Sequence, residues 1–226
     1  MKGENLIKPK IGIIKFGGIT FIISGVLFLA QYLFFLPLPA PPSVDADLMT
    51  WLTKWRFNIA MADELLFFAT LLLLPSIAAL YRILVKVDKI KTVLGCGLMA
   101  VIIPVNILLD IILGRLVYPV YNIEFSPDIY KLIASIYYGG MHSVAIIMSV
   151  ATFVLCFVIR RSVLGKSTAN FGFLVGIFDF IGAYPWLIGT VMVFVSQLFF
   201  SAWLVVLGIR MLGAAVREEG QTLATG

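Results

Sequence analysis

The stretch NIAMADELLFFATLLLLPSIAALY, Asn58–Tyr81, sets two adjacent acids, Asp63 and Glu64, in a run that is otherwise almost wholly apolar. At ~1.5 Å of rise per residue a helix of this length reaches across the ~30 Å hydrocarbon core of a bilayer. No soluble core requires so long an unbroken apolar run. The acids are the exception within it. A charge at bilayer depth costs at least ~2.5–3.5 kcal/mol on insertion scales, so such residues turn to partners or to water and often mark function.

The rest of the chain agrees with this reading. Its 226 residues are 61% hydrophobic and 13% charged, with a mean hydropathy of +1.05, against roughly 45–50% and about 25% in soluble domains. The pattern predicts a single all-α membrane domain over residues 1–226, a bundle of six spans at about 13–36, 58–81, 93–117, 132–158, 169–187 and 190–212. The last two share one apolar block, Ala169–Gly213, too long for a single crossing. Its turn signal is Gly182-Ala183-Tyr184-Pro185-Trp186, with Gly189 as a second flexible point, which predicts a tight helical hairpin. The first span is longer than a signal-peptide core and runs into Pro37-Leu38-Pro39-Ala40-Pro41-Pro42, a poor cleavage context, so it is expected to be retained. Beyond the prolines, Ser43 is expected to cap a short interfacial helix, 44–56, carrying Trp51 and Trp55.

Cations alternate between the loops. Lys2, Lys8, Lys10 and Lys15 precede the first span; Arg82, Lys86, Lys89 and Lys91 fill the second loop; Arg160, Arg161 and Lys166 the fourth; Arg210 and Arg217 follow the last span. The intervening loops hold Asp45, Asp47, Glu124 and Asp128. The positive-inside rule then predicts both termini in the cytoplasm of a multi-pass protein of the cell membrane. The net charge of +5 reads as topology and contact with anionic membrane lipid, and no nucleic-acid partner is expected. Cys96 and Cys156 fall near the cytoplasmic ends of two spans, outside any Cys-x-x-Cys motif, and are expected to be free buried thiols.

Counting rise from the predicted edges puts Asp63, Glu64, Asp110, His142 and Asp179 about 8–15 Å below the outer boundary. Gln31 and Gln197 fall at similar depth. Helical facing adds detail. Ser135, Tyr138, His142, Ser149 and Thr152 share one stripe; Asn106 and Asp110 are neighbours at i, i+4; Gly172, Gly176 and Asp179 align, as do Thr20, Ser24 and Gln31. Asp63 and Glu64 point about 100° apart, so only one of them can lie at the centre of an inward face. Asp63, Glu64, Asn106, Asp110, Tyr138, His142 and Asp179 are therefore the candidate lining of an outward-opening polar pocket for a small ligand or for protons.

Two other readings stand beside it. A metal site would draw on Glu64, Asp110, His142 and Asp179 and would suit a membrane-embedded enzyme acting on a lipid or peptide. Alternatively the polar groups pair across helices in an accessory subunit without chemistry. The lone histidine excludes bis-histidine haem ligation, and the chain has neither a phosphate-binding glycine loop nor a Gly-x-Ser-x-Gly nucleophile motif. No haem, nucleotide or flavin is expected, and the sequence names no substrate.

Trp55-Arg56-Phe57 through Ala62-Asp63-Glu64-Leu65-Leu66-Phe67-Phe68 to Ala79-Leu80-Tyr81 resembles a recurring segment of the prokaryotic multi-pass proteins known as domain of unknown function 4386. Met141-His142-Ser143 and the turn Lys166-Ser167 into Gly172 are similar to further parts of that family. The resemblance covers about Lys10 to Gly213. It implies a six-helix layout and interest in Asp63 and His142, and it does not extend to Glu64 and Asp179. It implies no activity.

Overall fold

The computed structural model describes residues 8–224, with side chains for 12–189 and 191–217. Lys2 and the side chains of Lys8 and Lys10 therefore lie outside the described residues. Six long helices follow one another: α1 (Lys8–Phe35), α2 (Asp45–Leu84), α3 (Lys89–Gly114), α4 (Pro127–Ile159), α5 (Lys166–Gly182) and α6 (Pro185–Ala224), with one 3-10 turn at Val120–Asn122. Apart from α5, each contains a stretch long and apolar enough to cross a membrane. With 17 residues, α5 is about 25 Å long and falls just short of the ~20 residues a crossing takes.

Each helix runs antiparallel to the next, and α6 closes the ring against α1. Lipid removes water as a competitor for backbone groups, so helices are the natural elements here, and their association rests on close packing and a few hydrogen bonds. Thr20 and Ser24 on α1 lie on one buried face. The Thr20 hydroxyl meets that of Ser76 at 2.8 Å, and Ser24 donates to the Ala69 carbonyl on α2 at 2.8 Å. Ser149 on α4 donates to the Gly176 carbonyl on α5 at 2.8 Å. Cys96 and Cys156 are free and buried, Cys156 packing where α5 presents Gly172.

The seam between α1 and α6 depends on missing side chains. A Cβ at Gly25 would lie 2.7 Å from the Ser201 carbonyl oxygen, and one at Gly208 would run into the backbone of Gly18 and Ile22. Around this seam Phe21, Trp203, Leu204 and Leu207 are fully buried, with Phe28 edge-on to Phe200 at 5.4 Å.

We use "distal" for the end of the bundle away from Lys8 and Ala224. There α2 departs from expectation. In place of a separate interfacial helix over 44–56 capped by Ser43, one helix runs unbroken from Asp45, and Val44 occupies the N-cap without a side-chain bond. Its 40 residues extend about 60 Å, twice the thickness of a hydrocarbon core. Nothing between Asp45 and Asn58 breaks a helix, and the projecting part is held on several sides. Trp51 donates to the Pro39 carbonyl at 3.1 Å, Asn58 to Phe34 at 3.1 Å, and Arg56 to Val117 at 3.0 Å. Lys131 at the start of α4 pairs with Asp45. At the opposite end Asp88 caps α3, accepting from the Lys91 amide at 3.1 Å. Its bonds to the Lys91 ammonium and amide hold its carboxyl below the usual carboxylate range.

The α1–α6 seam makes a direct prediction. Gly208→Leu should destabilise the purified protein by at least ~1–3 kcal/mol, the usual cost of overpacking. Gly97→Leu, where an added side chain meets open space, should leave the thermal midpoint in detergent unchanged. Equal midpoints for the two variants would contradict the seam.

Candidate functional site

The ring encloses a cavity of about 480 Å³ lined by residues of all six helices. α1 supplies Phe28, Gln31, Tyr32 and Phe35; α2 contributes only Leu73; α3 gives Ile102 and Asn106. The long α4 runs past it with Tyr137, Tyr138, Met141 and His142, while α5 and α6 add Asp179, Trp186, Ser196 and Gln197. Pro39, Ala40 and Pro41 form part of its rim, and the Trp51–Pro39 bond fixes that rim to α2. The short α5 shapes the mouth. It stops at Gly182 while α4 continues alongside toward the distal end, and the chain turns at Ala183 and Tyr184 into the first turn of α6. That turn breaks at Gly189, whose φ of +75° suits glycine.

His142 holds this turn. Its ring lies 2.6 Å, Nδ1 to oxygen, from the Ala183 carbonyl; a carbonyl only accepts, so Nδ1 carries the proton. Tyr184 and Trp186 pack on the imidazole with centroids at 4.9 and 5.2 Å. Asp179 is 4% exposed. One of its oxygens accepts from Ser196 at 3.3 Å, and the other, Oδ2, is buried with no partner. On α3 the Asn106 amide donates to Thr70 at 3.3 Å and leaves its buried Oδ1 unpartnered.

Of the expected pocket residues, Asn106, Tyr138, His142 and Asp179 line this cavity. Asp63, Glu64 and Asp110 do not, and here the expectation of one shared pocket needs correction. Asp63 on α2 and Asp110 on α3 lie within electrostatic reach of each other and of Glu64. Asp63 Oδ1 and Asp110 Oδ1 are buried and unpartnered. The choice between Asp63 and Glu64 falls to Asp63, which is buried; Glu64 is exposed and accepts from the Tyr118 hydroxyl at 2.8 Å. Arg115 joins neither group, its guanidinium sitting 5.0 Å from the Phe125 ring.

The split also disposes of the metal set as drawn. Glu64 and Asp110 belong to the α2–α3 cluster and His142 and Asp179 to the cavity, and among the described residues no group of three or more His, Cys, Asp or Glu gathers to hold an ion. Helical depth and facing could not separate the clusters, because neither says which neighbouring helix a polar face meets. Tyr137 stands between them: it lines the cavity and is within electrostatic reach of Asp63 and Asp110. The site list drawn from sequence omitted Tyr137, Ser196, Gln31 and Gln197. For the two glutamines the signal was present in their shared depth. Compared with known protein families, with curated proteins and with solved structures, the chain matches none.

The two clusters predict different energetic coupling. In a double-mutant cycle on thermal stability, Asp63→Asn and Asp110→Asn should deviate from additivity by ~0.5–3 kcal/mol, as groups in contact do, and Asp63→Asn with Asp179→Asn should add within ~0.5 kcal/mol. Strong coupling of Asp63 to Asp179 would restore the single pocket.

Proposed function

We propose that this is a six-span protein of the cell membrane, both termini cytoplasmic, that binds a small ligand in the central cavity from the outer side and links that binding to protons. The carrying observation is the cavity itself: about 480 Å³, reached by all six helices, largely apolar, and bearing one buried carboxyl. That is the ordinary anatomy of a ligand site, an apolar volume of roughly 300–1,000 Å³ with few polar groups. The orientation is supported by the distribution of lysine and arginine over the loops. On this reading α5 and the first turn of α6 together complete the fifth crossing, with His142 bracing their junction.

The proton link is proposed for the Asp63–Asp110 pair. Two carboxyl groups near each other in an apolar seam oppose ionising together, so a proton held by one of them offsets a second like charge. The pair therefore has two states of different charge, and Tyr137 is the side chain through which cavity occupancy reaches it. Transport is the larger activity this arrangement suits, since an intramembrane ligand site between helices is common to carriers.

Calorimetry in nanodiscs tests both parts with indole as a neutral apolar ligand. Wild-type protein should bind it saturably at one site. Ala145→Trp, which fills the cavity, should abolish binding; Leu174→Trp, on the exposed face of α5, should retain it. Titrations in two buffers of different ionisation enthalpy should reveal proton exchange in wild type and none in Asp63→Asn/Asp110→Asn. Equal binding by the wild type and Ala145→Trp would defeat the site, and unchanged proton exchange in the double variant would defeat the link.

A further inference from the structure

The chemistry of the wall narrows the ligand. Among the described residues that line the cavity, Asp179 is the one carboxyl, and none is a lysine or an arginine. Its contact with Ser196 satisfies one oxygen and leaves Oδ2 buried and unpartnered. Hydrogen-bonding groups buried without partners are rare, and an ionised carboxyl without a counter-charge is rarer still. A second acceptor, Asn106 Oδ1, is also buried and unpartnered. His142, which also lines the cavity, already gives its Nδ1 proton to Ala183. The polar part of the wall thus combines neutral side chains, Gln31 and Gln197 among them, with buried acceptors and one potential negative charge, and among the described residues it carries no fixed positive charge.

The apolar part points the same way. Tyr32, Phe35, Tyr137, Tyr138 and Trp186 surround the cavity, and aromatic faces attract cations as well as apolar bodies. An anionic ligand would bring a like charge to Asp179 with no base to offset it. A neutral apolar ligand would leave Oδ2 as it stands. A primary ammonium supplies three donors and the missing charge together.

From this we infer that the cavity selects an amphipathic amine, an aromatic or aliphatic body carrying a protonated primary amino group, with Asp179 as its counter-ion. This rests on the cavity being a ligand site, as proposed above. Asp179 is then the specificity-determining residue, and Ser196 its positioning partner.

Three matched ligands test it by calorimetry on the full-length protein in nanodiscs: tryptamine, tryptophol and indole-3-propionate, which share a ring and differ in head group. Tryptamine should bind at least tenfold more tightly than tryptophol, and the carboxylate should be the weakest. Asp179→Asn, close in size and uncharged, should weaken tryptamine at least tenfold and leave tryptophol within about twofold. Ala145→Trp should remove binding of all three. If tryptamine binds no better than tryptophol while tryptophol stays sensitive to Ala145→Trp, the amine assignment is overturned and the ligand site stands. If binding of every ligand is indifferent to Ala145→Trp, the site itself falls. A preference for tryptamine that survives in Asp179→Asn would overturn the role of Asp179.

Discussion

The cavity exists because α6 can come back against α1. Five consecutive antiparallel helices leave an open arc; the sixth makes a ring only if its backbone lies almost on that of the first. Gly18, Gly25 and Gly208 permit this, since a side chain on Gly25 or Gly208 would meet the opposite main chain. In lipid there is no large hydrophobic gain from burying one apolar helix face on another, so close backbone packing carries a correspondingly larger share of association. The same closure brings Phe28 onto Phe200 and sets Gln31 and Gln197 on one wall. Everything proposed for the interior follows from that contact.

Much of this architecture was legible in the sequence. Runs such as Asn58–Tyr81 leave little alternative to long helices, and the buried alignment of Thr20, Ser24 and Gln31, or of Gly172, Gly176 and Asp179, follows from a period of 3.6 residues. The hairpin at Ala183 and Tyr184 was marked by its glycines and Pro185. What escaped was neighbourhood. Periodicity tells which face of a helix is polar and leaves open which neighbour that face meets. Asp110 and Asn106 share a face of α3, one turn apart, yet Asn106 borders the cavity and Asp110 meets Asp63. The unbroken α2 escaped for a different reason. Tryptophans at the edge of a span suggest a helix lying on the membrane surface, whereas its continuation outward depends on tertiary contacts of Trp51, Arg56 and Asp45 that no local pattern encodes.

The distal end joins these parts. The projecting turns of α2 hold the proline-rich rim through Trp51 and tie to α4 through Asp45 and Lys131, while His142 on α4 holds the turn into α6. Rim and turn both border the cavity. α4 is the common member: it anchors both sides of the mouth, lines the cavity, and carries Tyr137 toward the carboxyl pair. A polar group that seems isolated in the sequence, such as His142, thus serves first to position backbone.

In the proposed orientation the interior of the ring opens at the distal end and that end faces outward. Single cysteines in a chain carrying Cys96→Ala and Cys156→Ala measure this most directly, using a membrane-impermeant maleimide on intact cells. The account predicts labelling of Gln197→Cys and Met141→Cys from outside, no labelling of Leu207→Cys on either side, and labelling of Arg82→Cys only after permeabilisation. Labelling of Arg82→Cys on intact cells, or a Gln197→Cys inert from both sides, would contradict it.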